Sequence, residues 1–178
     1  MTRHVALLRA VNVGTGRKVP MADLRTLLAD AGAGDVETYI QSGNAVLSHP
    51  ARAETELRAD LEVRLEAAFG FAIPVILRRA DAWETIVTGN PFRDADPAHL
   101  HVSFLRDAPP AGALDALDAE RFAPEAFAAD GREVYLHLPA GMGRAKLPRA
   151  VARAHGVPET TRNWRTILRL LDMAQSRG

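Results

Sequence analysis

Val36-Glu37-Thr38-Tyr39-Ile40-Gln41-Ser42-Gly43-Asn44-Ala45-Val46-Leu47-Ser48-His49 is the stretch on which the fold turns. Two strand-like runs, 36–41 and 45–49, flank Ser42-Gly43-Asn44, a β-hairpin signal. Upstream, His4 to Val13 is a near-continuous apolar run, as in a strand buried on both faces. Pro20 suits a first helical position, and Met21, Leu24, Leu27, Leu28 and Ala31 then follow helical spacing until Gly32 stops the helix. Downstream, Leu57, Leu61, Leu65, Ala68 and Phe69 form the stripe of a second helix ended by Gly70, and Ile73 to Leu77 is a fourth strand. The order strand, helix, strand, strand, helix, strand is that of a ferredoxin-like αβ plait.

The pattern then restarts. Residues 81–98 read as a linking helix and a turn at Asn90-Pro91-Phe92. In the second half, His99 to Arg106 is a strand and Gly112 to Ala119 a short helix. Phe122 to Ala129 and Glu133 to Leu138 are strands around Asp130-Gly131, and Leu147 to His155 is a helix. No final strand is predicted. A helix capped by Thr161 runs instead to Gln175, with Trp164, Ile167, Leu168, Leu171 and Ala174 on one side and Arg162, Arg165 and Arg169 on the other. The sequence thus predicts an α+β chain of two ferredoxin-like αβ-plait halves: βαββαβ over residues 1–80, and βαββα with an added C-terminal helix over 99–178.

Composition narrows the function. Of 178 residues 47% are hydrophobic, enough for a sizeable core. The absence of cysteine excludes disulfides, thiolate metal sites and thiol catalysis, and favours a cytoplasmic setting. No apolar run approaches the roughly 20 residues that span a bilayer, and the start has no signal-peptide layout, so no membrane partner is expected. Net charge is zero, unlike a general nucleic-acid coat protein. The charge is segregated, however. Residues 1–18 carry four basic residues and no acid, and residues 107–133 carry seven acids against two bases.

The only two lysines, Lys18 and Lys146, both close Gly-x-Gly-Arg loops, Gly14-Thr15-Gly16-Arg17-Lys18 and Gly141-Met142-Gly143-Arg144-Ala145-Lys146. Each loop leads into a predicted helix, where backbone N–H groups and the helix dipole favour an anion. Neither has Walker or dinucleotide spacing. The expected ligand is a phosphorylated or carboxylated small molecule, a nucleotide among the candidates. It would be bound by Asn12, Gly14, Gly16, Lys18, Ser42, Asn44, Gly141, Gly143, Arg144, Lys146 and Arg162. In a plait the loop after the first strand and the hairpin turn share one sheet end, so Gly14–Lys18 and Ser42–Asn44 are expected to be neighbours. The second lysine loop lies at the opposite end of its own sheet, and the two loops share a ligand only if the halves pack in opposed orientations.

Several stretches standing in order along the chain resemble a known family: Leu7-Leu8-Arg9-Ala10-Val11-Asn12-Val13-Gly14, Val19-Pro20-Met21-Ala22-Asp23-Leu24, Tyr39-Ile40-Gln41-Ser42-Gly43-Asn44, Asn90-Pro91-Phe92, Arg144-Ala145-Lys146-Leu147 and Thr161-Arg162-Asn163-Trp164-Arg165-Thr166. They are similar to the uncharacterised bacterial family called domain of unknown function 1697. The resemblance implies an αβ-plait fold and no established activity, cofactor or catalytic residue. Ala10 stands where that family commonly has glycine, Thr15 where a second glycine is common, and Ala145 where serine is common.

Other residues have bland and functional readings side by side. Arg9 inside an apolar run implies either a buried ion pair or a ligand contact. Ser42 lies in no nucleophile elbow. His99, His101 and His137 would share a strand face with Ser103 and Tyr135. Their spacing matches no strong zinc pattern, so no metal site is assigned, and Tyr135 alone would suit base stacking. No general base stands out; His155 and Asp23 are the nearest by sequence. Catalytic residues, cofactor and oligomeric state stay open. So do two alternatives: a nucleic-acid-binding protein using its basic termini, and a partner-binding module without a small ligand.

Overall fold

The computed structural model describes residues 1–50 and 52–176. Among these residues the fold is mixed α/β, with two four-stranded antiparallel sheets and five α-helices. They form two compact units, Met1–Thr85 with the C-terminal stretch from Arg169, and Ile86–Leu168. None of the helices is long and apolar enough to cross a membrane.

The first unit runs β1 (Thr2–Leu8), α1 (Met21–Asp30), β2 (Gly34–Tyr39), β3 (Asn44–His49), α2 (Glu54–Phe69) and β4 (Val75–Arg79). Its sheet order is β2-β3-β1-β4, so β1 is central and pairs antiparallel with β3 and β4. Ala6, Leu8, Ala45, Leu47, Val75 and Leu77 on alternate strand positions pack against Leu24 and Leu28 of α1 and Leu57, Leu61 and Leu65 of α2. Period-two and helical spacings therefore meet in one core. Each buried leucine there contributes about 1.5–3 kcal/mol. Gly70 ends α2 in the left-handed conformation at φ 80°, its N–H bonded to the Glu66 carbonyl.

β1 stops five residues before the apolar run does. Ala10 and Asn12 both have φ 56°, which a strand cannot accommodate, so the chain peels away after Leu8. Arg9 is exposed, not buried as the apolar run implied.

α3 (Ala80–Thr88) carries the chain into the second unit, which runs β5 (Leu100–Leu105), β6 (Ala126–Asp130), β7 (Glu133–His137), α4 (Leu147–His155) and β8 (Glu159–Asn163). The chain then enters α5 (Trp164–Gln175). The sheet order β6-β7-β5-β8 repeats that of the first unit. Leu105, Val134, Leu136, Leu138, Leu147 and Val151 form a core under α4.

Three expectations are corrected here. The final strand exists: β8 pairs antiparallel with β5 from His101↔Asn163 to Leu105↔Glu159. It has no apolar residue, because its buried positions are Thr160 and Arg162. The Arg162 guanidinium bonds Thr160 Oγ1 (2.6 Å) and the Thr161 carbonyl (3.0 Å), and burial pulls its pKa down to about 10. α5 is accordingly capped by Asn163, whose Oδ1 accepts the Thr166 N–H at 2.9 Å, and not by Thr161. The helix expected over Gly112–Ala119 is absent. Ala113→Pro110, Asp115→Gly112 and Leu117→Leu114 bonds span three residues, giving successive turns and a short 3-10 helix at Ala119–Phe122. Phe122 therefore belongs to that turn, and β6 begins at Ala126.

His4 lies buried in β1. Burial lowers its pKa below 6.5; Glu54 opposes the shift, and the neighbouring His49 and Arg79 add to it, with a small opposing effect of Asp81. His101 is lowered chiefly by burial too. In both cases the unfolded chain binds the proton more readily, so this contribution is full above pH 6.5 and is lost as pH falls towards the folded pKa. Urea midpoints are expected to drop from pH 7.5 to pH 5, and His4→Phe to shallow that drop. An unchanged slope in the variant contradicts the assignment to His4.

Candidate functional site

The loop after β1 closes on itself. The Asn12 N–H donates to the Arg17 carbonyl at 3.0 Å. The Asn12 carboxamide then behaves like a peptide group. Its Oδ1 accepts the Val19 N–H at 2.8 Å, and its Nδ2 donates to the Val19 carbonyl at 2.9 Å and the Gln41 carbonyl at 2.6 Å. Both amide donors are thereby engaged. Asn12 ties the two ends of the loop together and fastens them to the hairpin turn.

The turn is held just as closely. The Leu8 N–H donates to the Gly43 carbonyl at 2.8 Å. Gly43 has φ 77°, and a Cβ there would fall 2.6 Å from Val11 Cγ2 and 2.8 Å from Leu8 Cβ. Asn44 is buried and donates to the Tyr39 carbonyl (3.0 Å) and to Ser42 Oγ (2.9 Å). The Gly14–Lys18 loop and the Ser42–Asn44 turn are therefore neighbours. Asn12 and Asn44, assigned to a ligand from the sequence, have their amide donors committed to building the site.

Backbone strain concentrates at this end of the sheet. Among the described residues, Ala10, Asn12, Arg17, Asp35 and Ile40 are the non-glycine residues with positive φ, and four of the five lie in this loop and turn. Each such residue costs on the order of 1–3 kcal/mol and persists only where its surroundings force it. Ile40, at φ 50°, is β-branched and half-exposed, the least favourable case.

The loop is also cationic. Arg9, Arg17 and Lys18 are exposed, and no acid precedes Asp23. The Arg17 guanidinium stands 5.4 Å from the centre of the Phe71 ring. Lys18 has no hydrogen-bond or ion-pair partner among the described residues. Two residues further on stands Pro20, the N-cap position of α1, which offers no side-chain cap. Gly14 has φ 69°, whereas Gly16 is neither left-handed nor crowded, with nothing within 4 Å of an added Cβ.

The loop of the second unit has the same local form. Gly141 is left-handed at φ 79°, and Gly143 is neither left-handed nor crowded. Its helix end is different. The Glu125 carboxylate accepts the Leu147 N–H at 2.7 Å and the Lys146 N–H at 3.1 and 3.2 Å. The anion favoured at the start of α4 is thus the chain's own. Arg144 and Lys146 are exposed beside it, while Arg162 is buried in β8.

The histidine face does not assemble. His137 pairs with Leu100, and Tyr135 with Val102, so both lie on the sheet face opposite His101, while His99 ends the 3-10 turn before β5. Tyr135 is buried, its hydroxyl donating to the Ile86 carbonyl at 2.7 Å, and burial raises its pKa to about 12. It offers no stacking surface. His155 is a clamp: Nδ1 accepts the Val157 N–H at 3.0 Å, which leaves Nε2 to donate to Glu159 at 2.9 Å. Asp23 lies in the first turn of α1, on a shallow groove shared with Asp30 and Arg64.

These observations define a two-unit α/β protein that uses one strand order twice. The chain belongs to the DUF1697 family, proteins of unknown function, whose family model matches residues 1–135. The solved structure of a conserved bacterial protein from Streptococcus pneumoniae matches it with a TM-score of 0.79 at 22% identity, over 98% of this chain and 99% of that one, which shows a common fold. No curated protein matches the sequence. Ala10 holds a left-handed backbone of the kind that favours glycine.

Ala10→Gly is expected to raise stability by about 0.5–1 kcal/mol in urea titrations, because relief of left-handed strain exceeds the added chain entropy. A loss of stability would show that Ala10 is not strained. Glu125→Gln is expected to destabilise by about 1–2 kcal/mol, through the charge withdrawn from the start of α4, with faster amide exchange at Leu147. Unchanged exchange there excludes Glu125 as the cap.

Proposed function

We propose that the protein binds a small anionic ligand, phosphorylated or carboxylated and with nucleotides among the candidates, on the Asn12–Lys18 loop of the first unit. The observation that carries this reading is the contrast between two loops of like local form. The α4 end already holds the Glu125 carboxylate, whereas the α1 end has no side-chain cap and has an unpartnered Lys18 beside it. Lys18 supplies the charge, the backbone around Gly14 and Gly16 allows close approach, and Ser42 borders the loop. Asn12 and Asn44 act by holding it in shape. We further read each unit as a ferredoxin-like plait, on the strand order the two sheets share, in a cysteine-free protein suited to the cytoplasm.

A thermal-shift screen with phosphorylated metabolites and short oligonucleotides at two salt concentrations tests the proposal. A ligand at about 100 times its Kd stabilises by about 2.7 kcal/mol through mass action. Lys18→Ala is expected to lose the rise in Tm while keeping its fold, and Lys146→Ala to keep the rise. A response confined to oligonucleotides and falling steeply with salt would replace this reading by nucleic-acid binding. Equal responses from the parent and Lys18→Ala would exclude the lysine anchor.

A further inference from the structure

The second unit contains a cavity of about 270 Å³ lined by Pro97, Ala98, His101, Asn163 and Arg165. Its polar side chains converge through strand register. His101 of β5 pairs with Asn163, the last residue of β8, so both side chains leave the same face of the sheet. Arg165 follows in the first turn of α5.

Each of the three has unused capacity. Asn163 commits Oδ1 to the Thr166 N–H at 2.9 Å, and its Nδ2 has no partner among the described residues. Arg165 is exposed and has no hydrogen-bond or ion-pair partner among them either. His101 is partly exposed and its imidazole lines the cavity, although its Nδ1 atom is itself shielded. The neighbouring acid, Asp96, already accepts the Ala98 N–H at 2.9 Å.

We propose that this cavity binds a small oxyanion, a carboxylate or a phosphate, held by the Arg165 guanidinium and the Asn163 carboxamide with the His101 imidazole as third contact. The planar guanidinium fork matches either head group in a bidentate pair. The volume lies just below the roughly 300–1,000 Å³ of sites for drug-sized ligands. It suits an inorganic ion or a short carboxylate. In the first turn of α5 the Thr166 N–H is already taken by Asn163 Oδ1. Burial lowers the His101 pKa, and the charge of His99 adds to the shift while a hydrogen bond to the His99 backbone opposes it. The imidazole is therefore mainly neutral at pH 7, and a bound anion is expected to bring its protonation to higher pH.

The test follows the His101 ring resonances by NMR while inorganic phosphate, or separately acetate, is added at constant ionic strength. A saturable shift is expected, with the His101 titration midpoint moved to higher pH. Arg165→Gln, a substitution at an exposed position, is expected to weaken the response at least tenfold. Lys18→Ala is expected to leave it unchanged, which separates this site from the loop of the first unit. A response to phosphate alone or to acetate alone supports the site and names its head group. No response to either ion up to about 10 mM, ten times a millimolar Kd, overturns the proposal. So does an equal response in Arg165→Gln.

Discussion

The carboxamide of Asn12 fixes the ground on which the first basic loop stands. Its three hydrogen bonds, two to Val19 and one to Gln41, join the end of β1 to the start of α1 and to the hairpin between β2 and β3. Hydrogen bonds of this kind contribute about 1 kcal/mol each. Together they are of the same order as the strain held at Ala10, Arg17 and Ile40. The position of Lys18 follows from that balance, because Lys18 lies between two residues that the network grips, Arg17 through its carbonyl and Val19 through its side-chain-bonded backbone.

The two units show how one loop grammar leads to different outcomes. Both loops place a left-handed glycine first and an uncrowded glycine second, ahead of an arginine, a lysine and a helix. In the second unit a carboxylate from the segment before β6 fills the helix end. In the first unit the residue at the helix end is proline, whose ring carries no acceptor. The difference lies in what surrounds the loops and not in the loops themselves.

Much of the fold was legible because periodicity is local. The stripe Leu57, Leu61, Leu65 and the alternation around Ser42-Gly43-Asn44 each declare an element within a dozen residues. β8 was hidden because its buried side chains, Thr160 and Arg162, are polar and satisfy each other. The turns within residues 112–119 were read as a helix because Leu114 and Leu117 are three apart, a spacing that turns and helices share. At the site, lysine and glycine were visible as loop chemistry. The role of Asn12 was not, since its partners lie 7 and 29 residues away. Glu125 sits in an acidic stretch that gives no sign of the α4 end it caps, and His137 was misplaced by a single step of register, which moves a side chain to the other face of a sheet.

The Glu125 contact has a consequence for the second loop. A tethered carboxylate acts as a built-in competitor, present at an effective concentration that for short flexible tethers is in the millimolar range. Any free phosphate or acid arriving at the start of α4 must displace it, so dilute solutes leave that doorway shut. Such a plug spares the second loop from responding to the common anions around it.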